Sequence, residues 1–243
     1  MWPYADPTQQ DTRCPRCFRP ADPGNRFCGR CGARLPEGGL DAVAEERRTV
    51  SVLFVDIVGF TEVANHLDPE QIRAIQHEYF RVIGQIVGRW NGAIEKYIGD
   101  AAMAVFGVPR SDEYDAYRAV RAGLQLQEAL RGRRFFGGQT VQARVGVATG
   151  EELVDLTGGG DASRARVCGR VVTTAARVQR YTSSGTVAVT EITRDATAAL
   201  VQYQELPPVI LAGHEPLRIW QACRTIGRGV DLAGPVRTPA LVG

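Results

Sequence analysis

Residues 49–149 of this 243-residue chain follow the order strand, helix, β-hairpin, helix, strand. That order predicts an α+β fold with a ferredoxin-like βαββαβ core. A 44% hydrophobic content supplies enough apolar side chain for such a core. Four cysteines gathered before residue 32 predict a small separate module ahead of it.

The first strand is Thr49–Val55 (TVSVLFV), apolar and β-branched, and it ends at Asp56 before Gly59-Phe60-Thr61. A helix opens at Asp68-Pro69-Glu70 with an N-cap, a proline at the first helical position and an acid in the first turn. Ile72, Ile75, Tyr79, Val82, Ile83 and Ile86 then recur at helical spacing up to Gly92. Ala93–Ile98, a turn at Gly99-Asp100, and Ala102–Phe106 form the hairpin. A second helix begins near Ser111-Asp112-Glu113, buries Ala116, Ala119, Val120, Gly123, Leu124 and Leu130, and ends on Arg131, Arg133 and Arg134. Val141–Thr149 alternates as a strand. After a glycine-rich loop at 157–161 come a helix over 171–183, a strand at Thr186–Thr190, a short helix near 191–200, and late strands at 208–211 and 217–222. Domain boundaries follow as 1–34 for the cysteine module, 35–46 for a linker, 47–224 for the main domain and 225–243 for a Gly- and Pro-rich tail.

The net charge is +2, from 29 basic and 27 acidic residues, which opposes a nucleic-acid binder held by phosphate contacts. No apolar run spans a membrane and the N-terminus lacks a secretory pattern, so a cytoplasmic location is expected.

Cys14-Pro-Arg-Cys17, ten residues, then Cys28-Gly-Arg-Cys31 is the spacing of a four-thiolate zinc site. A pair of disulfides is the alternative, which a cytosolic chain disfavours. So few apolar residues surround the knuckles that the metal supplies the folding energy. The segment resembles a zinc ribbon. Cys168 and Cys223 have no sequence partner and are expected as buried thiols.

Asp56 at a strand end and Asp100 in the neighbouring hairpin turn are a pair of carboxylates able to hold two divalent ions for phosphoryl transfer. The backbone of Ile57, Gly59, Phe60 and Thr61, turning toward a helix, offers N–H groups to phosphates. Lysine occurs once, at Lys96; the other 28 basic residues are arginine.

SVLFVDIVGFT (51–61) and EKYIGDAAMAVFG (95–107) resemble the two metal-binding motifs of class III nucleotidyl cyclases, adenylate and guanylate. The resemblance continues through VQARVGVATGE (141–151), GRVVTTAARVQ (169–179) and LPPVILAGHEPLRIW, and covers roughly residues 47–223. It implies a head-to-tail dimer with two Mg²⁺ or Mn²⁺ ions per active site, held by Asp56, Asp100 and the Ile57 carbonyl. It implies that the ribose 3′-hydroxyl of ATP attacks the α-phosphate to give 3′,5′-cyclic AMP and pyrophosphate. Lys96 falls where adenylate cyclases carry the purine-selecting lysine and guanylate cyclases an acid. Arg177 falls on the arginine that stabilises the reacting phosphate, with Lys96 and the Asp pair of one chain serving opposite sites.

The chain departs from the pattern at identifiable positions. Thr173 stands where the ribose-orienting asparagine is usual, and Arg170 replaces an acid. The residue that helps Lys96 select the base falls on Arg166, or on Cys168 if the loop is shifted. The late triphosphate lysines fall on Ala212 and His214. Misplaced orienting groups can cost about a hundredfold in rate. The expectation is therefore a weak or regulated adenylate cyclase with a zinc-ribbon module, and two alternatives stay open. One is a catalytically degenerate cyclase-fold regulatory module. The other is half of a heterodimeric cyclase. The string RTPALVG at 237–243 resembles a linker into a downstream regulatory domain. No GG(D/E)EF string of a diguanylate cyclase is present, and an unrelated two-metal nuclease does not explain Lys96.

Overall fold

A computed structural model of the chain describes residues 17, 19, 25, 27–33, 45–155, 166–210 and 215–226. The chain divides into two compact units, Met1–Ala44 and Glu45–Gly243.

The larger unit contains β1 (Glu45–Ile57), α1 (Phe60–Ala64), α2 (Pro69–Arg89), β2 (Ala93–Ile98), β3 (Ala101–Phe106), α3 (Asp115–Leu130), β4 (Ala143–Asp155), β5 (Arg166–Cys168), α4 (Arg170–Tyr181), β6 (Val187–Thr190), α5 (Glu191–Thr197), β7 (Val201–Val209) and β8 (Leu217–Thr225). The sheet order is β2-β3-β1-β4-β6-β8-β7, with β5 paired to β4. The segment β2-β3-β1-β4, with α2 and α3 as its helices, is the expected ferredoxin-like core.

Strand side chains alternate between two faces. Leu53, Val55, Ala104 and Phe106 pack against α2 and α3 through Tyr79, Ile83, Ala119 and Val120. Phe54, Met103 and Val105 form a second cluster with Val171 and Ala175 of α4. Asp56, two residues past Phe54, therefore faces the α4 side.

Several elements differ from expectation for physical reasons. β1 is longer at both ends than its apolar run, because antiparallel pairing with β4 continues from Glu45↔Asp155 to Ile57↔Ala143. The expected strand 208–211 is instead β7, Val201–Val209. It is an edge strand paired only to β8, so its polar residues and Pro207-Pro208 are tolerated. α3 starts at Asp115, since the Asp112 carboxylate accepts the Tyr114 N–H at 2.8 Å and holds a turn. The arginines expected in its last turn lie past its end, and Arg133 pairs with Glu78 of α2 at 2.8 Å. Cys168 and Cys223 are exposed rather than buried, because each sits at an outward position of its strand. Among the described residues no helix is long and apolar enough to cross a membrane.

Candidate active site

β1 lies between β3 and β4, pairing Val55 with Ala102 on one side and Asp56 with Arg144 on the other. Asp100 occupies the β2–β3 turn, two residues before Ala102, where Gly99 takes the left-handed conformation (φ +65°) the tight turn requires. The two carboxylates thus meet at one end of adjacent strands. Burial first, then the Asp56 charge and a carboxyl–carboxyl hydrogen bond, push Asp100 up to about 6; its own backbone N–H and Arg144 oppose that rise. Tyr79, fully buried in the core, is likewise raised, by burial first and then by both acids.

Two side chains hold Asp56 from the opposite direction. Gln179 Nε2 donates to Asp56 Oδ2 at 3.2 Å, and Arg144 Nη2 lies 3.6 Å from the same oxygen. Arg144 also donates from Nη1 to the Arg180 carbonyl at 3.5 Å, tying the strand to α4. Neither residue was singled out from the sequence. The available signals were an arginine inside the small-residue strand ARVGVATG and a glutamine on the apolar face of α4 beside Val171, Ala175 and Val178.

α4 approaches β4 closely enough that a Cβ on Gly146 would lie 2.3 Å from the Gln179 nitrogen and 2.6 Å from the Ala175 carbonyl oxygen. The first turn of α4 is capped by Glu152, buried, whose carboxylate accepts the Val171 N–H. A Cβ on Gly169 (φ +141°) would collide with that carboxylate. The chain fills this helix terminus with its own anion.

The other candidate residues are distributed as follows. Thr173 and Arg177, four apart, share a face of α4. The Thr173 hydroxyl donates to the Gly169 carbonyl at 3.1 Å. The cation beside Asp56 is Arg144 rather than Arg177. Lys96 stands on β2, the sheet edge, with its ammonium 3.2 Å from Glu95. Ile57 and Phe60 bury their side chains in the core, so only their backbones are available to a ligand. Gly59 (φ +69°) turns the chain into α1; Val58 N–H donates to the Gln142 carbonyl and Glu62 N–H to the Gly59 carbonyl. Thr61 is the second residue of α1, and only its backbone is described. Arg166 and Cys168 lie exposed on β5. Ala212, His214 and Cys14 fall outside the described residues.

Two adjoining carboxylates, one of them holding its proton up to about pH 6, are a donor set that fits a hard divalent cation. Below about pH 6 a cation must displace the Asp100 proton. Mn²⁺ affinity is therefore expected to rise with pH through about 6 and level off above it. In the metal-free chain the sign is opposite. A folded-state value above the ordinary 3.8 means stability present at low pH is lost as pH rises from about 4 to about 6. Mn²⁺ titrations at pH 5, 6, 7 and 8 check the first statement; a flat series contradicts it.

In the smaller unit, the sulfurs of Cys17, Cys28 and Cys31 lie within 4.8 Å of one another, with Cys17 and Cys28 3.7 Å apart. The Gly32 N–H donates to the Cys28 carbonyl at 2.9 Å, closing the knuckle. Three converging thiols fit a tetrahedral thiolate site.

Residues 42–222 match the family described as Adenylate and Guanylate cyclase catalytic domain. An uncharacterised protein of Rhizobium meliloti is 31% identical over 188 residues, covering 76% of this chain and 18% of that protein. Adenylate cyclase 1 of the same organism is 28% identical over 149 residues, 60% of this chain and 22% of that one. The chain thus spans about a fifth of the length of these two relatives. The crystal structure of the guanylyl cyclase Cya2 superposes with a TM-score of 0.69 at 28% identity, covering 78% of this chain and 98% of that one. By its sequence motifs, its fold and these matches, the chain belongs to the adenylate and guanylate cyclase catalytic-domain family.

Proposed function

We propose that this domain is an adenylate cyclase, converting ATP to 3′,5′-cyclic AMP and pyrophosphate at a site completed by a second copy of the chain. The observation that carries the reading is the contact between Asp56 and Asp100 at adjoining strand ends. These two carboxylates, with the Ile57 carbonyl, would hold two Mg²⁺ or Mn²⁺ ions. When bound, the ions polarise the phosphate oxygens and favour ionisation of the ribose hydroxyl.

The chain's own groups do the remaining work. The 3′-oxygen bonds to the α-phosphorus, the bond to the β-phosphate bridging oxygen breaks, and the hydroxyl proton leaves to solvent. Arg144 and Gln179 fix the Asp56 carboxylate, and Arg144 presents a guanidinium at the edge of the carboxylate pair for the triphosphate. Arg177, on α4, would serve the second copy's site and stabilise charge on the reacting phosphate. Lys96 donates to the purine: N1 of adenine accepts a hydrogen bond, whereas N1 of guanine carries a proton.

Thr173 supports a second reading. Its hydroxyl already donates to Gly169, so Thr173 has no donor left for the ribose, whereas the amide of an asparagine would have one, and low turnover follows. A nucleotide-binding regulatory module, or a heterodimer whose partner supplies an amide, fits the same fact. In the smaller unit, Cys14, Cys17, Cys28 and Cys31 would hold one structural Zn²⁺.

The test is product formation from ATP and from GTP by the purified chain with Mn²⁺ or Mg²⁺. Cyclic AMP in excess of cyclic GMP is expected. No cyclic nucleotide from a folded homodimer contradicts the homodimeric enzyme reading and favours the regulatory module or the heterodimer.

A further inference from the structure

Glu95 and Lys96 are consecutive residues on β2, and on a regular strand consecutive side chains point to opposite faces. Here they touch: Lys96 Nζ lies 3.2 Å from Glu95 Oε1. The pairing of β2 with β3 explains how. Ile94 pairs with Ala104 and Lys96 with Met103, so Glu95 is the extra residue of a β-bulge. A bulge re-aims side chains, and this one turns both charged groups to the same side, opposite Met103.

The two partners differ in their surroundings. The Glu95 side chain is only 9% exposed, whereas that of Lys96 is 43% exposed. The second carboxylate oxygen, Oε2, is buried and has no hydrogen-bond partner. A buried carboxylate is costly unless paired, and here the ammonium of Lys96 is the counter-charge. The contact therefore constrains Lys96 more than an exposed surface pair would.

We infer that Glu95 is the positioning residue for Lys96, holding its ammonium on a bulged edge strand so that the remaining donors face the purine. This rests on the cyclase reading of Lys96 and deepens it. Lysine alone is a point charge on a flexible four-carbon stem, free to swing between rotamers. Spending one N–H on Oε1 fixes the nitrogen and leaves two donors. A fixed donor meets an acceptor at N1 of adenine and a proton at N1 of guanine, so the pairing sets discrimination between the bases. Glu95 does not touch the substrate; it acts through Lys96.

The test compares the wild type with Glu95→Gln and Glu95→Asp, measuring KM and kcat with ATP and GTP in Mn²⁺, and Kd for both nucleotides. Removing the charge in Glu95→Gln is expected to raise KM for ATP and lower the ATP-over-GTP preference roughly tenfold, the size of one charge-assisted hydrogen bond. The change falls more on KM than on kcat. Glu95→Asp, which keeps the charge at shorter reach, retains more of the preference than Glu95→Gln. An unaltered preference in both variants, with an active wild type, overturns the positioning role and leaves the cyclase reading standing. A wild type that makes no cyclic nucleotide overturns the cyclase reading, and the Kd ratio then decides this inference. A ratio that falls in Glu95→Gln supports it; a ratio that is unchanged, or equal for both nucleotides in the wild type, overturns it.

Discussion

Asp56→Ala leaves the purified chain with cyclic-nucleotide formation reduced on the order of a thousandfold or more. Metal clamps in phosphoryl transfer supply several kcal/mol of transition-state stabilisation, and roughly 4 kcal/mol corresponds to that factor. Asp56 is the residue on which this side of the site converges, since both Arg144 and Gln179 reach it. Its removal also takes away the part of the Asp100 rise that comes from the Asp56 charge and hydrogen bond, while burial, the larger cause, remains. The variant is expected to stay folded in metal-free buffer, while its stabilisation by Mn²⁺ disappears. Activity assay and thermal melting together check this. Robust turnover in the variant, or loss of activity accompanied by unfolding, would contradict the metal-holding role.

Gly146→Ala is the second large effect, and it acts through packing rather than chemistry. The new methyl would meet the backbone of α4, 2.3 Å from the Gln179 nitrogen, and backbone cannot rotate out of the way. Overpacking of this kind costs about 1–3 kcal/mol, and a domain of this size loses roughly 2–4 °C in Tm per kcal/mol. Activity should fall further than stability alone accounts for. α4 carries both Gln179 and Arg177, and displacing such groups by about 1 Å can cost a hundredfold. Gly88→Ala is the control. It sits in α2 with nothing within 4 Å of an added Cβ, so helix propensity predicts a melting point at or above that of the wild type. Equal melting and activity for the two variants would show that the α4–β4 approach is not a constraint.

The fold was legible where one side-chain period ran long enough to be read. α2 shows its helical face from Ile75 to Val87, and its Asp68-Pro69 start holds, with Gln71 Oε1 accepting the Asp68 N–H at 3.1 Å. β1, the hairpin and β4 have continuous or alternating apolar runs. β7 was misplaced because an edge strand needs little apolar surface, and its polar residues read as loop. Cys168 and Cys223 were misread because burial of an isolated cysteine depends on which way its strand faces, a tertiary property.

The site was half legible. Asp56 and Asp100 stand out because each closes a strand in a distinctive motif. Arg144 and Gln179 do not, since their meaning depends on antiparallel register with β1 and on the seating of α4 over Gly146. Glu95 was invisible for a similar reason. A β-bulge has no side-chain period, and only the shift between Ile94 and Lys96 reveals that Glu95 and Lys96 share a side.

In the proposed cyclase, metal-holding carboxylates from one copy and Arg177 from another form one active site. Mixing Asp56→Ala with Arg177→Ala tests it most directly. Each variant alone has both sites of its homodimer damaged, while a mixed dimer has one site carrying both lesions and one carrying neither. Random pairing of equal amounts then restores about a quarter of wild-type cyclic AMP formation. A mixture as inactive as its components, at concentrations where the wild type is active, would contradict a site shared between two copies.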